Sequence, residues 1–266
     1  MTALRPSLAL SCLIAAPLLA AATPSSAQTA PKATSVRTEY GVSMLGLPVG
    51  RASFDTSIKG QRFSIDGTLA SAGLGTLVAK TSGTSKVSGR LGRDRMMPER
   101  YALNYSTGSR AWSSDVAFRG AAAVSSKVSP VRPPKPDHVP VTRKQLASAI
   151  DPLSGLMIRT GKAASVCNRT LPFYDGWSRL DLKLSPAGQK SYSMTGYSGD
   201  AQVCDVRIQP VGGYDKSSKG LRYLQGQTIQ MWFAPIAAVD IFVPVYARIP
   251  TKIGPLTLSA TSVSTK

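Results

Sequence analysis

Few residues of this chain have the chemistry of a catalytic or metal-binding centre. His138 is the single imidazole, and of the three cysteines Cys12 lies near the N-terminus while Cys167 and Cys204 lie in the second half. A serine hydrolase needs a base beside its nucleophile, but the chain contains neither a G-x-S-x-G nor an S-x-x-K motif. No phosphate loop, dinucleotide fingerprint or calcium loop is present. The sequence therefore predicts no catalytic residue, no cofactor-binding residue and no metal ligand.

Paired carboxylates are the one catalytic arrangement that sequence spacing does not exclude. Four aspartates lie close together in the chain: Asp175, Asp181, Asp200 and Asp205. Glycan cleavage uses two such groups on either side of a bond, whereas turns and strand surfaces also favour aspartate. An envelope glycan hydrolase with paired Asp residues therefore stays an alternative to a non-enzymatic protein.

Residues 1–27 have the form of a secretory signal peptide. A short basic region is followed by an apolar run over residues 8–22 and by small residues before a cleavage point at Gln28. A transmembrane anchor would need about 20 apolar residues, and Pro17 interrupts this shorter run. Lipid attachment at Cys12 is disfavoured because much of the apolar run follows that cysteine. We therefore expect an exported protein.

Export decides how Cys167 and Cys204 are interpreted, because an oxidising compartment favours a disulfide between two thiols of one domain. A redox pair would show C-x-x-C spacing, and a zinc site would need four ligands where the exported chain offers two cysteines and His138. We expect Cys167 and Cys204 to form a structural disulfide.

The chain is strongly basic. It has 32 Lys and Arg residues against 14 Asp and Glu residues, a formal charge of +18. Such a field attracts anionic envelope lipids, lipopolysaccharide phosphates or acidic glycans, although it also serves solubility alone. No nucleic-acid recognition motif accompanies the charge, so nucleic acid is not an expected partner.

Short segments with period-2 alternation dominate residues 36–266 and follow a flexible leader at 28–35. In one example, Phe54, Thr56 and Ile58 precede a Lys-Gly-Gln turn, and Phe63 and Ile65 follow it. Many strands at short spacing, separated by Gly-rich turns, predict a meandering antiparallel sheet in a single β-rich domain.

The centre of the chain breaks this pattern. Residues 129–141 contain five prolines and predict an extended, exposed loop. Thr142 and Gln145 have capping-box spacing, and apolar residues follow at helical spacing, so a helix is expected over about 142–160 with a bend or restart at Asp151-Pro152. One amphipathic helix among many strands predicts a strongly curved antiparallel sheet, a half-open barrel or β-spiral, wrapped around one central helix.

Several segments, in this order, resemble the domain of unknown function 3108 family of exported bacterial proteins. They are YGVSMLGLPVG, DPLSGLM, FYDGWSRLDLKL, YSGDAQVCDVRIQPVGGY and VDIFVPVYARIPTKIGPLTL, and together they span nearly the whole exported chain. The resemblance implies a β-rich periplasmic domain, similar in shape to lipoprotein-carrier proteins, and it brings no catalytic residues.

The function expected from these features is non-enzymatic binding in the periplasmic cell envelope. The partner would be a lipid, an acyl chain, another anionic envelope component or a protein, with a peptide-binding module that uses an open sheet edge as a further alternative. The basic residues expected to contact an anionic surface are Arg132, Lys135, Arg143 and Lys144.

Overall fold

The structure, a computed structural model, describes residues 33–131 and 133–266. The predicted signal peptide and Arg132 lie outside these residues. The described chain forms an antiparallel sheet of thirteen strands and a separate pair of short strands, with few helices. The prediction of a mainly β protein with a strongly curved antiparallel sheet is confirmed.

The strands of the thirteen-stranded sheet follow the chain in two runs. The first run comprises β1 (Thr34–Met44), β2 (Leu47–Lys59), β3 (Arg62–Ser71), β4 (Thr81–Leu91), β5 (Met96–Thr107), β6 (Arg110–Arg119) and β7 (Ala122–Ser129). The second comprises β9 (Arg169–Tyr174), β10 (Arg179–Met194), β11 (Tyr197–Gly212), β13 (Ile229–Ile236), β14 (Ile241–Ile249) and β15 (Leu256–Thr265). The short pair is β8 (His138–Val139) with β12 (Tyr214–Asp215).

The remaining elements are short and lie in the connections. They are α1 (Gly75–Val78), α2 (Arg143–Leu146), α3 (Pro152–Leu156), α4 (Lys219–Gln225) and two 3₁₀ turns at Ala163–Ser165 and Ala237–Val239. The strand order in the sheet is β7-β6-β5-β4-β3-β2-β1-β15-β14-β13-β11-β10-β9, so β1 and β15 join the two runs and β7 and β9 are the edges.

The alternating segments form strands whose faces are those that the sequence predicts. Across the β2–β3 turn, Ile58 lies opposite Phe63 and Thr56 lies opposite Ile65. Residues opposite each other in an antiparallel pair share a face, and all but Ile58 of these four are buried. The predicted leader at 28–35 is too long by two residues, because β1 begins at Thr34 and Ser35 exchanges two backbone hydrogen bonds with Lys266.

The two edge strands approach each other and roll the sheet into a nearly closed barrel. The hydroxyls of Ser126 on β7 and Tyr174 on β9 are 2.9 Å apart, and the Ser114 hydroxyl donates to the carbonyl of Asp175. The seam between the edges, however, has no β7–β9 ladder. Residues 142–157, hereafter the seam segment, fill that place.

The prediction of one central helix over about 142–160 is wrong. The seam segment contains two separate single turns, α2 and α3, and Ile150 between them is hydrogen-bonded to β9 as a short parallel bridge. Asp151 has an extended backbone because the proline after it disfavours the helical conformation. The apolar residues at helical spacing instead divide between two clusters, with Leu146 and Leu153 in one and Ile150 and Leu156 in the other.

The predicted cap residues are confirmed. Thr142 and Gln145 form the capping box of α2, with both reciprocal hydrogen bonds present. Asp151 caps α3, and Pro152 is its first residue. In the predicted loop at 129–141, Ser129 is the last residue of β7, a turn at Pro136-Asp137 precedes β8, and β8 pairs with β12. The local signals were therefore correct even though they belong to two short turns.

Two apolar clusters lie on opposite faces of β13. Trp232 and Ala234 belong to the larger cluster, which fills the barrel interior, whereas Met231 and Phe233 belong to a smaller cluster over β9, β10 and β11. The predicted disulfide between Cys167 and Cys204 is present in the smaller cluster, with Cα atoms 5.2 Å apart. It ties the chain before β9 to the middle of β11.

Breaking this disulfide should cost about 2 to 5 kcal/mol of unfolding free energy, because the bridge restricts a loop of 37 residues in the unfolded chain. The pair Cys167→Ala and Cys204→Ala removes it without burying a hydroxyl. Urea unfolding of parent and double variant, each with and without reductant, measures the effect. If, without reductant, the parent and the double variant have the same free energy of unfolding, the prediction is contradicted.

Asp151 is the most deeply buried charged group of the seam segment. One carboxylate oxygen accepts the N–H groups of Leu153 at 3.0 Å and Ser154 at 2.9 Å, whereas the other oxygen has no hydrogen-bond partner among the described residues. Burial raises the pKa of Asp151 to about 6, against the lowering effect of its hydrogen bonds. When the carboxyl is ionised, its burial costs free energy, although it still caps α3.

Replacing Asp151 with Asn should remove that cost and keep the cap, since an amide oxygen accepts the same N–H bonds. The folded state raises the pKa, so the stability from the protonated form is complete below the ordinary value of 3.8 and is lost as the pH rises through about 6. Relative to Asp151→Asn, the parent should lose roughly 2 to 3 kcal/mol between about pH 4 and pH 7. Urea unfolding at both pH values checks this, and a pH-independent difference would count against it.

Candidate functional site

An open apolar cavity of about 410 Å³ lies at one end of the barrel, where β1, β3 and β5 finish. Val42, Gly50 and Ser71 form one row of its wall, since they are opposite one another on β1, β2 and β3. Leu69 and Tyr105 form a second row with Gly83 between them. Apolar surface dominates the wall, as is usual for small-molecule sites.

The cavity lies where several inward-facing positions carry small side chains. On β3 the inward positions are Phe63, Ile65, Gly67, Leu69 and Ser71, and on β4 Gly83 lies between Leu69 and Tyr105. Large side chains fill the interior at the other end, whereas glycine and serine leave space here. The seam segment fills the opposite side of the interior with Leu146, Leu153 and Met157, so the free volume lies next to β1–β5.

Three connections surround the cavity mouth and contact one another or the sheet. The N–H of Leu45, at the tip of the β1–β2 turn, donates to the carbonyl of Pro255 at 3.1 Å, and its side chain lies where a Cβ on Gly254 would be. The connection that carries α1 contacts β2 so closely that a Cβ on Gly75 would lie 1.9 Å from the carbonyl oxygen of Val49. Glycine is required at both close approaches.

These connections expose an unusual amount of apolar side chain. The leucine rim, as we name it, consists of Leu45, Leu47, Leu74, Leu77 and Ile253, with exposed fractions between 47% and 81%. Ile253 also lines the cavity. The rim and the cavity therefore form one continuous apolar surface.

Basic residues flank the mouth and acidic residues are missing there. Lys80 and Lys252 are exposed beside α1 and beside Ile253, and neither forms an ion pair with a described carboxylate. Arg110 lies over the ring of Trp112, which in turn contacts Tyr105 of the cavity wall. The segments that build this end, residues 40–54, 67–93, 100–114 and 241–266, contain no Asp or Glu.

The basic residues predicted to contact an anionic surface lie elsewhere. Arg143 and Lys144 are exposed on α2, and neither lines the apolar cavity. Lys135 forms an ion pair with Asp215 at 2.9 Å, and Arg132 is outside the described residues. The structure thus supports an exposed basic α2 but shows Lys135 engaged with a carboxylate.

His138 belongs to a second, more polar cleft of about 520 Å³ beside the proline-rich loop. Its Nδ1 is 2.8 Å from Asp215, the residue opposite it in the β8–β12 pair. Hydrogen bonds from Lys135 and His138 hold the pKa of Asp215 below its usual value. Among described residues no serine, threonine or cysteine hydrogen-bonds His138, so the contacts shown here hold the loop against β12.

The four aspartates considered for glycan cleavage have other partners. Asp175 accepts the N–H groups of Trp177 and Ser178 in the β9–β10 turn, and burial raises its pKa. Asp181 binds Arg179 at 2.6 Å, and Asp200 accepts the hydroxyl of Ser191 at 3.2 Å. Asp205 lies on β11 opposite Ser185.

Within the described ranges, no group of three or more His, Cys, Asp or Glu residues is arranged to hold a metal ion. The described helices also include none that is long and apolar enough to cross a bilayer.

The cavity and its rim were missed from sequence. Leu45, Leu74 and Ile253 are far apart in the chain, and only the strand order β3-β2-β1-β15 brings their connections together. One local signal was present, since Leu45-Gly46 occupies a hairpin turn where both residues have positive φ, a position that normally takes Asn or Gly.

The fold and the cavity define a β-rich, barrel-like protein with an apolar site at one end. The family described as Protein of unknown function (DUF3108) matches residues 37–261, and the chain belongs to this family. Among solved structures, a beta-barrel-like protein of the domain of unknown function DUF1849 from Brucella abortus is similar. That protein is 7% identical, the match covers 90% of this chain and 100% of that chain, and the TM-score is 0.47. The comparison with curated proteins finds no match.

Replacing Gly75 with Ala should loosen α1 from β2, because the new Cβ meets the carbonyl of Val49. Gly220→Ala in α4 is a matched control, since no atom lies within 4 Å of its Cβ position and alanine favours a helix. We expect hydrogen exchange of the α1 amides to increase in Gly75→Ala, with the α4 amides unchanged or better protected in Gly220→Ala. Unchanged α1 protection would contradict the described contact.

Proposed function

We propose that this protein binds the acyl part of an anionic lipid in the apolar cavity and acts in the bacterial cell envelope without catalysing a reaction. The proposal rests on the apolar cavity of about 410 Å³, whose mouth is flanked by cations and is built from segments without Asp or Glu. Sites of 300 to 1,000 Å³ with apolar walls are typical for small-molecule ligands. A carboxylate or phosphate head group outside the mouth would meet Lys80, Lys252 or Arg110.

Export to the periplasm is part of the proposal. A disulfide in a core cluster is typical of proteins from oxidising compartments, and residues 1–27 have the pattern of a cleaved signal peptide. Cys167 and Cys204 are both buried, so the bridge has a structural rather than an exchange role.

The exposed cations Arg143 and Lys144 are a second proposed contact for an anionic envelope component. They lie on α2, which runs against β7, apart from the cavity lining. Surface attraction at this place would weaken with salt, whereas burial of an acyl chain would resist it. The two contributions are therefore separable by ionic strength.

Lipid binding is favoured over the two alternatives by the contacts described above. Strand addition by a peptide needs an open sheet edge, but Ile150 covers β9 and the Ala149 N–H donates to Ala121 beside β7. A glycan hydrolase needs two accessible carboxylates at a cleft, and the four aspartates considered for it lie in a turn and in strand contacts instead.

Leu69→Asp should abolish most of the binding, because it places a charge in the apolar wall. We expect the affinity for a fluorescent fatty acid such as cis-parinaric acid to fall by at least about tenfold, a change of roughly 1.4 kcal/mol. Thr68→Asp is the matched control, since the adjacent side chain points to the outer face of the same strand. Titration by fluorescence and competition with palmitate measure both.

Val42→Phe provides a second test that adds no charge, because its ring would occupy the cavity. It should weaken binding of the same probe. In the parent, hexadecanol should compete less well than palmitate, because hexadecanol lacks the carboxylate that the flanking cations would contact. Parent protein that does not bind the probe, or Thr68→Asp losing as much affinity as Leu69→Asp, would overturn the proposal.

A further inference from the structure

The exposed apolar side chains of this protein are concentrated at one end. Among the described residues, eight large apolar side chains are exposed, and six of them belong to the leucine rim or to Leu69 at the cavity mouth. Soluble proteins normally scatter such side chains, and a continuous patch marks an interaction surface. We therefore expect a binding partner to cover the rim.

The two most exposed residues of the rim contribute little to folding. Leu77 is 81% exposed and Ile253 is 71% exposed, so each buries only a small part of its side chain. Leu45 has a φ of 53°, a conformation that is unfavourable for a residue with a branched apolar side chain. Asparagine or glycine would fit that turn better, and a leucine there points to a role outside the fold.

Charge identifies the kind of surface that fits. The segments at this end contain Lys80 and Lys252 beside rim residues, Arg110 near the cavity wall and no acidic residue. An apolar group ringed by cations is complementary to an anionic bilayer, where apolar side chains enter the acyl boundary and cations meet head groups. The rim residues come from three separate connections. A fluid bilayer can accept each of them without a binding surface of fixed shape.

We infer that the leucine rim docks this protein on the surface of an anionic lipid bilayer, with Leu45, Leu77 and Ile253 inserted and Lys80 and Lys252 among the head groups. This docking places the cavity mouth against the bilayer, so an acyl chain can pass between membrane and cavity without crossing water. The transfer step rests on the proposed function, whereas the docking is measured independently.

The apolar part is tested with the triple variant Leu45→Asn, Leu47→Gln and Leu77→Gln, three rim positions that do not line the cavity. Co-sedimentation with vesicles of phosphatidylglycerol and phosphatidylcholine should show binding at least about tenfold weaker than that of the parent. Val124→Gln, at an exposed apolar residue on β7, is the control and should bind like the parent. Thermal unfolding confirms that each variant is folded, and asparagine suits the positive φ at position 45.

The charge part is tested with Lys80→Gln and Lys252→Gln together. This variant should lose binding to the anionic vesicles and most of the salt dependence, and pure phosphatidylcholine vesicles should bind the parent weakly. Lys59→Gln with Arg119→Gln removes the same charge from the opposite end of the sheet, at the β2–β3 and β6–β7 turns, and is the matched control. If both double variants lose the same affinity for anionic vesicles, the attraction comes from the net charge of the whole molecule, and docking by the rim is overturned.

Two further outcomes are decisive. A triple variant that binds vesicles as the parent does overturns the inference, and so does a concentration-dependent dimer in sedimentation velocity that the triple variant abolishes, because a second copy would then cover the rim. Binding of cis-parinaric acid separates this inference from the proposed function. The triple variant should keep probe binding, whereas Val42→Phe, which fills the cavity without changing the rim or its charge, should lose probe binding and keep vesicle binding.

Discussion

The closure of the sheet depends on polar anchors that hold the seam segment between β7 and β9. A thirteen-stranded sheet with no ladder between its edges would leave two strands with unpaired backbone groups. Arg179 on β10 is buried and donates to the carbonyls of Gln145 and Ser148 at the end of α2, while Asp181 balances its charge. Asp151 fixes the start of α3 within the segment by accepting the N–H groups of Leu153 and Ser154, while Arg179 ties the segment to β10.

The position of the seam also decides where the barrel can be hollow. Leu146, Leu153 and Met157 enter the interior from the seam side, and Gly155 lets α3 approach Phe173 so closely that a Cβ would lie 2.3 Å from its ring. The side of the interior next to β1–β5 has no such segment over it. Small residues on those strands then leave a cavity at the end where the connections carry α1 and Leu45. Packing on one side and space on the other are consequences of the same topology.

The sequence predicted what is periodic or local and failed where distant segments meet. Strand alternation, the capping box and the N-cap at Asp151 depend on neighbours in the chain, and all three are present. The single helix failed because Leu146, Ile150 and Leu153 have helical spacing but face two different clusters from a segment that crosses between them. The cavity could not be found, since Leu45 and Gly254 are about 200 residues apart and no pattern relates them.

The charge of the chain is also distributed in a way that composition does not show. Acidic residues of the first run of strands lie on the barrel wall and pair with cations on adjacent strands, as Asp55 does with Arg37, Asp66 with Lys86 and Asp115 with Arg100. Exposed pairs of this kind contribute little to stability, but they neutralise the wall. Cations that pair with no described carboxylate remain on strands, such as Arg51 and Lys183, as well as in the connections, and at the cavity mouth Lys80 and Lys252 stand beside exposed apolar side chains. At the cavity mouth an anionic amphiphile would therefore meet cations and apolar surface together.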